Sequence, residues 1–203
     1  MTITNGYVTL NEAKTYLGIP LADTVDDTML EQIVESASRS IDRIAGRYFY
    51  QDASATAQYY RAVSPVSLLV ADISTTTGLL VAIDTSGTGT YSTSMTYNTD
   101  FIVEPLNAAA TGRPYTLLTA VGPTYFPYPF NYRPGVRVTA RWGWPAIPDD
   151  IVEATLILVA DLYKRKDSVG GVLGLSEMGA IRMSPLGRDI TSMVRAYRRE
   201  FFA

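Results

Sequence analysis

Apolar residues recur at helical spacing at both ends of this 203-residue chain, over 9–46 and again over 148–203, and the long stretch between them changes period. In the first segment Met29, Leu30, Ile33, Val34, Ala37, Ile41, Ile44 and Ala45 form an i, i+3, i+4 stripe. Glu31, Glu35, Arg39, Asp42 and Arg43 fall on the opposite face. Upstream, Thr9-Leu10-Asn11-Glu12 has the spacing of a capping box and predicts a short helix to about Leu17, ended by Gly18 and Pro20. Asp26 and Asp27 open the longer helix where its dipole favours carboxylates, and Gly46 stands where a left-handed cap belongs. Pro148-Asp149-Asp150 opens a third helix over 151–163 that is apolar on nearly all sides, the pattern of a buried central helix. A fourth, from about 186, carries Ile190, Met193, Val194, Tyr197 and Phe201 on one stripe, flanked by Arg188, Arg195, Arg198 and Arg199. Such a helix can dock on its own domain or on another chain. Neither end can bury its apolar faces alone, so the two must pack together across the middle.

The middle reads as short strands at 57–63, 67–73, 79–84, 94–103, 115–121 and 136–142. Turn signals separate them: Ser64-Pro65, Ser86-Gly87-Thr88-Gly89, Asn107, Thr111-Gly112 and Arg133-Pro134-Gly135. The last strand alternates Val136, Val138 and Ala140 with Arg137, Thr139 and Arg141. This spacing predicts a small antiparallel sandwich or barrel-like sheet. The segment 122–134 (GPTYFPYPFNYRP) is an aromatic loop with Tyr125, Phe126, Tyr128, Phe130 and Tyr132, either a contact surface or a cover folded over a sheet face. Past the third helix, 167–179 holds four glycines and reads as a flexible linker, with a short strand at 181–184. The expected class is α+β. Segments 1–47 and 148–166 form a helical body of about four helices with the terminal one, 48–147 is a β-rich insert, and 167–203 is a linker plus C-terminal docking helix.

Composition narrows the chemistry. An apolar share of 47% with 18% charged residues belongs to a globular chain, and no apolar run approaches the length of a bilayer span, so a soluble protein made in a cytoplasm is expected. The chain has no cysteine and no histidine, which removes thiolate sites, disulfides, the commonest general base and the commonest metal ligand. Asp149 and Asp150 are adjacent and diverge on a helix, while Asp100 and Glu104 on one strand face would stand more than about 10 Å apart. Trp142 and Trp144 at a strand end fit a core better than a sugar platform. The glycine run at 170–174 lacks the Gly-Lys-Ser/Thr ending of a phosphate loop. The chain therefore reads as non-enzymatic, with no catalytic residue, metal ligand or cofactor site.

Charge is uneven. Residues 1–50 hold four basic and seven acidic side chains, 51–163 five and nine, and 164–203 eight and four. An acidic body with a basic tail fits an interaction end, although on charge alone solvated faces are the simpler reading. Lys164-Arg165-Lys166 closes the third helix where the dipole favours cations, and that role is preferred to nucleic-acid contact.

Three segments carry a family resemblance. LNEAKTYLGIP…DDTMLEQIVESASRSIDRIAGRYF, WGWPAIPDDIVEATLILVADLYKRKDS, and the tail from Met193 to Phe201 with Tyr197-Arg198-Arg199 resemble, in order and spacing, the head–tail connector (adaptor) proteins of tailed bacteriophages and of related gene-transfer particles. DFIVEPLNAAATGRPYT is similar to the β insert of longer members. The resemblance implies a structural virion protein at the head–tail interface. It would form a homo-oligomeric ring of twelve-fold symmetry under the portal protein, with a neck, stopper or tail-completion protein bound below. DNA would pass through the lumen without specific binding, and no membrane is involved. It further implies a portal-docking arm, ordered only on assembly, with Arg188, Ile190, Met193, Val194, Arg195, Tyr197, Arg198, Arg199, Phe201 and Phe202 as its candidate contacts. An acidic body suits a channel wall that must not hold DNA. The rival reading is a virion or cell-surface binding module using the aromatic loop; a carboxylate-based hydrolase is disfavoured by the missing histidine.

Overall fold

The computed structural model describes residues 3–127, 133–165, 172–176, 179–182 and 188–199, with 172–176, 179–182 and Arg188 described by backbone alone. The chain divides into two compact units, one of Met1–Tyr50 with Ile147–Ala203 and one of Gln51–Ala146. The first is helical and the second all β, so the class is α+β with the β-rich segment between helices.

In the helical unit, α1 (Leu10–Leu17) begins at the expected capping box. The Thr9 amide donates to Glu12 Oε2 at 2.6 Å and the Glu12 amide to Thr9 Oγ1 at 3.2 Å. α2 (Asp27–Ala45) ends at Gly46, whose φ of 68° is the left-handed geometry that glycine adopts without strain. α3 (Asp149–Lys164) starts after Pro148, an extended cap residue rather than the first helical one. α4 (Arg188–Arg195) is two turns long. The core is built from Leu30, Val34, Ala37 and Ile41 of α2, Ile151, Ala154, Leu158 and Val159 of α3, and Ile190 and Val194 of α4, all buried. Each fully buried Leu, Ile or Val side chain contributes about 1.5–3 kcal/mol. The helices α2 and α3 run in opposite directions, because Tyr163 near the end of α3 donates to Asp26 before the start of α2 at 2.6 Å. The two chain ends thus pack on one another, as their unpartnered stripes require.

Of the buried polar side chains in this packing, Ser38 and Thr155 each donate to a carbonyl of their own helix, and Lys14 carries a charge. Lys14 is only 1% exposed, and its ammonium donates to the carbonyls of Leu21 and Asp23 and to Asp27 Oδ1, the last at 2.7 Å. Three acceptors meet the three ammonium protons, so the charge is satisfied and the 18–26 loop is tied to both α1 and α2.

In the β unit, β1 (Thr56–Tyr60), β7 (Val136–Ala140), β3 (Leu80–Ile83) and β4 (Thr93–Met95) make one antiparallel sheet in that order. A second holds β2 (Ser67–Ile73), β6 (Tyr115–Ala120) and β5 (Phe101–Glu104). The extension of β7 joins them: Trp142 bridges to Ile73, and the Gly143 amide donates to Asp72 O at 2.7 Å. Val136, Val138, Ala140 and Trp142 are fully buried, which is the alternation predicted for this strand carried to its end. The one long strand expected over 94–103 is instead β4 and β5 with a turn between them. Asn98 takes φ 63°, and Asp100 Oδ2 accepts from the Thr96 amide at 2.6 Å, so a turn closed by the Asp100 carboxylate separates the two strands, which then join different sheets.

The segment read as a glycine linker also differs. Its residues Val172–Ser176 form β8, paired antiparallel with β9 (Gly179–Arg182) as a hairpin. Its glycines hid the strand signal.

Replacing Lys14 with Met should leave Asp27 and two loop carbonyls without their donor, lowering stability by about 2 kcal/mol. A urea midpoint unchanged from the parent would contradict the cage.

Candidate functional site

The C-terminal helix holds most of the predicted partner contacts, and the structure divides them into two groups. Ile190 and Val194 are fully buried against α2 and α3, so they serve this chain's own core. Met193, Tyr197 and Arg199 are half-buried, while Arg195 and Arg198 are exposed. Past the helix the chain is pinned: the Tyr197 hydroxyl donates to Asp150 Oδ2 at 2.9 Å, and the Arg199 amide to Ala45 O at 3.1 Å. The Tyr197 ring also meets Phe49 edge-on, with centroids 5.8 Å apart. Helix α4 is therefore docked on its own unit through Ile190 and Val194. The Arg188 side chain, Phe201 and Phe202 lie outside the described residues.

The aromatic loop is likewise split. Tyr125 is 61% exposed, whereas Phe126 is 1% exposed and its amide donates to Pro65 O at 2.7 Å, so the loop covers the sheet at one residue and offers its neighbour outward. Tyr128, Phe130 and Tyr132 lie outside the described residues. Both tryptophans, Trp142 and Trp144, are core residues.

The carboxylates singled out by sequence are in structural use. Asp100 caps its turn and accepts from Thr124 Oγ1 at 3.2 Å, and Glu104 accepts from Thr119 Oγ1 at 2.7 Å. Two polar clusters escaped the sequence reading. In the first, Phe49 N donates to the Tyr7 hydroxyl, which donates to Asp42; Asp42 also pairs with Arg39 at 2.9 Å, and Arg39 lies over the Tyr7 and Tyr50 rings. Burial, with the Asp42 carboxylate beside it, pushes the Tyr7 hydroxyl far above its usual range. Burial also raises Asp42, against the lowering effect of its bonds to Tyr7 and Arg39. This cluster ties residue 7 to the end of α2. In the second, Asp84 loses solvent, which raises its pKa, but accepts from the amides of Ser86, Gly87 and Gly89 and the Ser86 hydroxyl. The four donors outweigh desolvation and hold it below 3.8. It organises the β3–β4 loop.

Among the described residues, no group of three or more Asp and Glu is placed to hold a metal ion, and no helix is long and apolar enough to cross a membrane. The β unit exposes Tyr59, Tyr97 and Tyr125, and the helical unit exposes Arg43, Arg195 and Arg198.

Three outcomes check these assignments. Ile190→Ala in the isolated chain should lower stability by about 2–4 kcal/mol in urea; a helix not docked on its own core would show almost no change. Tyr7→Phe strands the Phe49 amide and an Asp42 oxygen, lowering stability by about 1–3 kcal/mol by the same measurement. The depressed pKa of Asp84 gives stability that is present above 3.8 and is lost as pH falls through the folded value. Asp84→Asn should therefore be less stable than the parent near neutrality and converge with it on acidification. Parallel pH profiles for the two proteins would refute this.

Comparison with known proteins gives likeness of fold. No family model matches the sequence, and no curated protein matches it. Among solved structures, the chain is similar to one from the neck of an empty gene transfer agent (GTA) particle, computed with C6 symmetry, with a TM-score of 0.57 at 17% identity. A chain of the native gene transfer agent virion matches with a TM-score of 0.55 at 20% identity. Both matches cover 100% of this chain and 95% of the other, so the likeness takes in both the helical and the β unit.

Proposed function

We propose that this chain is a structural neck component of a phage-like particle, a head–tail adaptor that sits below the portal and links the capsid to the tail. The observation that carries the reading is the match over the whole chain to a neck chain of a gene transfer agent particle. It agrees with the sequence resemblance, which rested mainly on segments of the helical unit and also on 100–116 of the β unit. The lack of histidine and cysteine and the structural use of Asp100, Glu104, Asp42 and Asp84 favour a scaffold over an enzyme.

In this role copies would form a closed ring, with the acidic body suited to a wall that passes DNA without holding it. The C6 symmetry of the neck computed for the empty particle is a subgroup of the twelve-fold ring that the resemblance implies. The portal and the next neck or tail-completion protein are the proposed partners, met by the surfaces that remain exposed: Arg195 and Arg198 near α4, and Tyr125 on the β unit. The exposure of Tyr125 also supports the second reading, a binding module; a glycan or receptor bound by the isolated protein and lost in Tyr125→Ala would favour it.

The neck reading is tested in particles. Deleting the gene should leave filled heads that lack tails, and mass spectrometry of purified wild-type particles should find the chain in multiple copies. Tailed, infectious or gene-transferring particles made without it would overturn the assignment.

A further inference from the structure

A buried ammonium is unfavourable unless every proton finds an acceptor, and the acceptors of Lys14 lie in and just past one surface loop. It donates to the carbonyls of Leu21 and Asp23 and to the Asp27 carboxylate. Further bonds stiffen the same loop: the Asp23 amide donates to Pro20 O at 3.0 Å, and the Val25 amide to Asp23 Oδ1 at 3.1 Å. The loop held in this way turns large apolar side chains outward. Leu21 is 56% exposed and Val25 is 89% exposed, and Tyr16 in the last turn of α1 is 50% exposed. Among the described residues of the helical unit, no other large apolar side chain is exposed. Asp23 is exposed beside them, and among the described residues its carboxylate makes no ion pair.

The β unit carries a surface of similar apolar character and opposite charge. Strand β7 lies between β1 and β3, and residues directly across from one another put their side chains on one face. Tyr59 and Ala82 stand opposite Arg137, and Ala57 and Leu80 stand opposite Thr139. An antiparallel sheet that faces water carries polar side chains on that side, yet Leu80 here is 66% exposed and Tyr59 56%. The Arg137 guanidinium lies 5.5 Å from the Tyr91 ring centroid, and among the described residues it makes no ion pair. Asp84, just past the end of β3, is taken up by four donors of its own loop.

One chain therefore holds both halves of a contact: a fixed apolar loop with an exposed carboxylate, and an apolar sheet face with a guanidinium. Two different patches that fit each other join copies head to tail, which is the heterologous arrangement that closes rings. Interfaces between permanent copies are also more apolar than those with transient partners. Fixing the loop before the copies meet lowers the entropy lost on contact.

We propose that the loop of Leu21 and Val25 packs on the β1–β7–β3 face of a second copy of this chain, with Asp23 facing Arg137. The proposal deepens the neck reading, on which it rests for closure of the contact into a ring, by naming the surfaces through which neighbouring copies meet.

The chain has no cysteine, so single cysteines report one contact at a time. Val25→Cys and Leu80→Cys replace exposed side chains and should leave the thermal midpoint of the full chain unchanged. At millimolar protein, a short bifunctional maleimide should link a mixture of the two variants into dimers. It should link a chain carrying both cysteines into a ladder of higher multimers, and neither variant alone should be linked. Asp23→Arg and Arg137→Asp should each weaken self-association by about fivefold, followed by sedimentation, and the doubly swapped chain should recover it. Recovery cannot come from damage to the fold. Val25→Cys linking to itself as readily as to Leu80→Cys would make the contact isologous and overturn the proposal. So would a parent that stays monomeric through the concentration series, or swaps whose losses add in the double variant. Each of these results leaves the neck assignment standing, because that is read from particles; absence of the chain from particles would remove that assignment and leave the contact between copies standing.

Discussion

The structure depends on the packing of α2 against α3. Those helices lie a hundred residues apart in sequence, and each carries an apolar surface that water would penalise if left open. Joining them buries Leu30, Val34, Ala37 and Ile41 with Ile151, Ala154, Leu158 and Val159, and almost every other feature follows. α1 is fixed to the pair through Lys14 and Asp27, α4 seals the remaining face with Ile190 and Val194, and the segment after it is hydrogen-bonded to the end of α2. The β unit can be long because closing the chain around it is cheap in free energy: doubling a loop's length costs only about 0.6 kcal/mol.

Much of this was legible in the sequence. The α2 stripe, the capping box at Thr9, the glycine after α2, and the alternation of Val136 to Ala140 each report a local physical rule with little competition from tertiary context. The Asn98 turn was missed because the strand-like residues on either side mask a break that depends on one left-handed Asn and one capping Asp. Strand β8 was missed because glycine carries no side-chain pattern to show a strand, whereas the short strand expected at 181–184 overlaps β9. The fate of α4 was beyond sequence for a different reason: an amphipathic stripe states that a helix must be covered, and it is silent about which surface does the covering.

The candidate surfaces were legible by type and less so by place. The arginines near residue 198 stood out in the tail, but the docking of their segment on the end of α2 depends on a backbone bond between Arg199 and Ala45 that no local pattern encodes. The aromatic loop shows the same limit, since Tyr125 and Phe126 are neighbours of equal hydrophobic character with opposite exposure. Periodicity does not reach single loop residues.

The dependence of α2 on α3 and α4 also bears on how the protein is made. At about 5–20 residues per second, the ribosome takes on the order of 10 s to proceed from the end of α2 to the end of α3. Over that interval the stripe from Leu30 to Ile41 has no partner, while the whole of Gln51–Ala146 can emerge and complete its own sheets. The β unit is then the first part to become native on the nascent chain. The helical unit is the last, and during synthesis it is the part that calls for a chaperone.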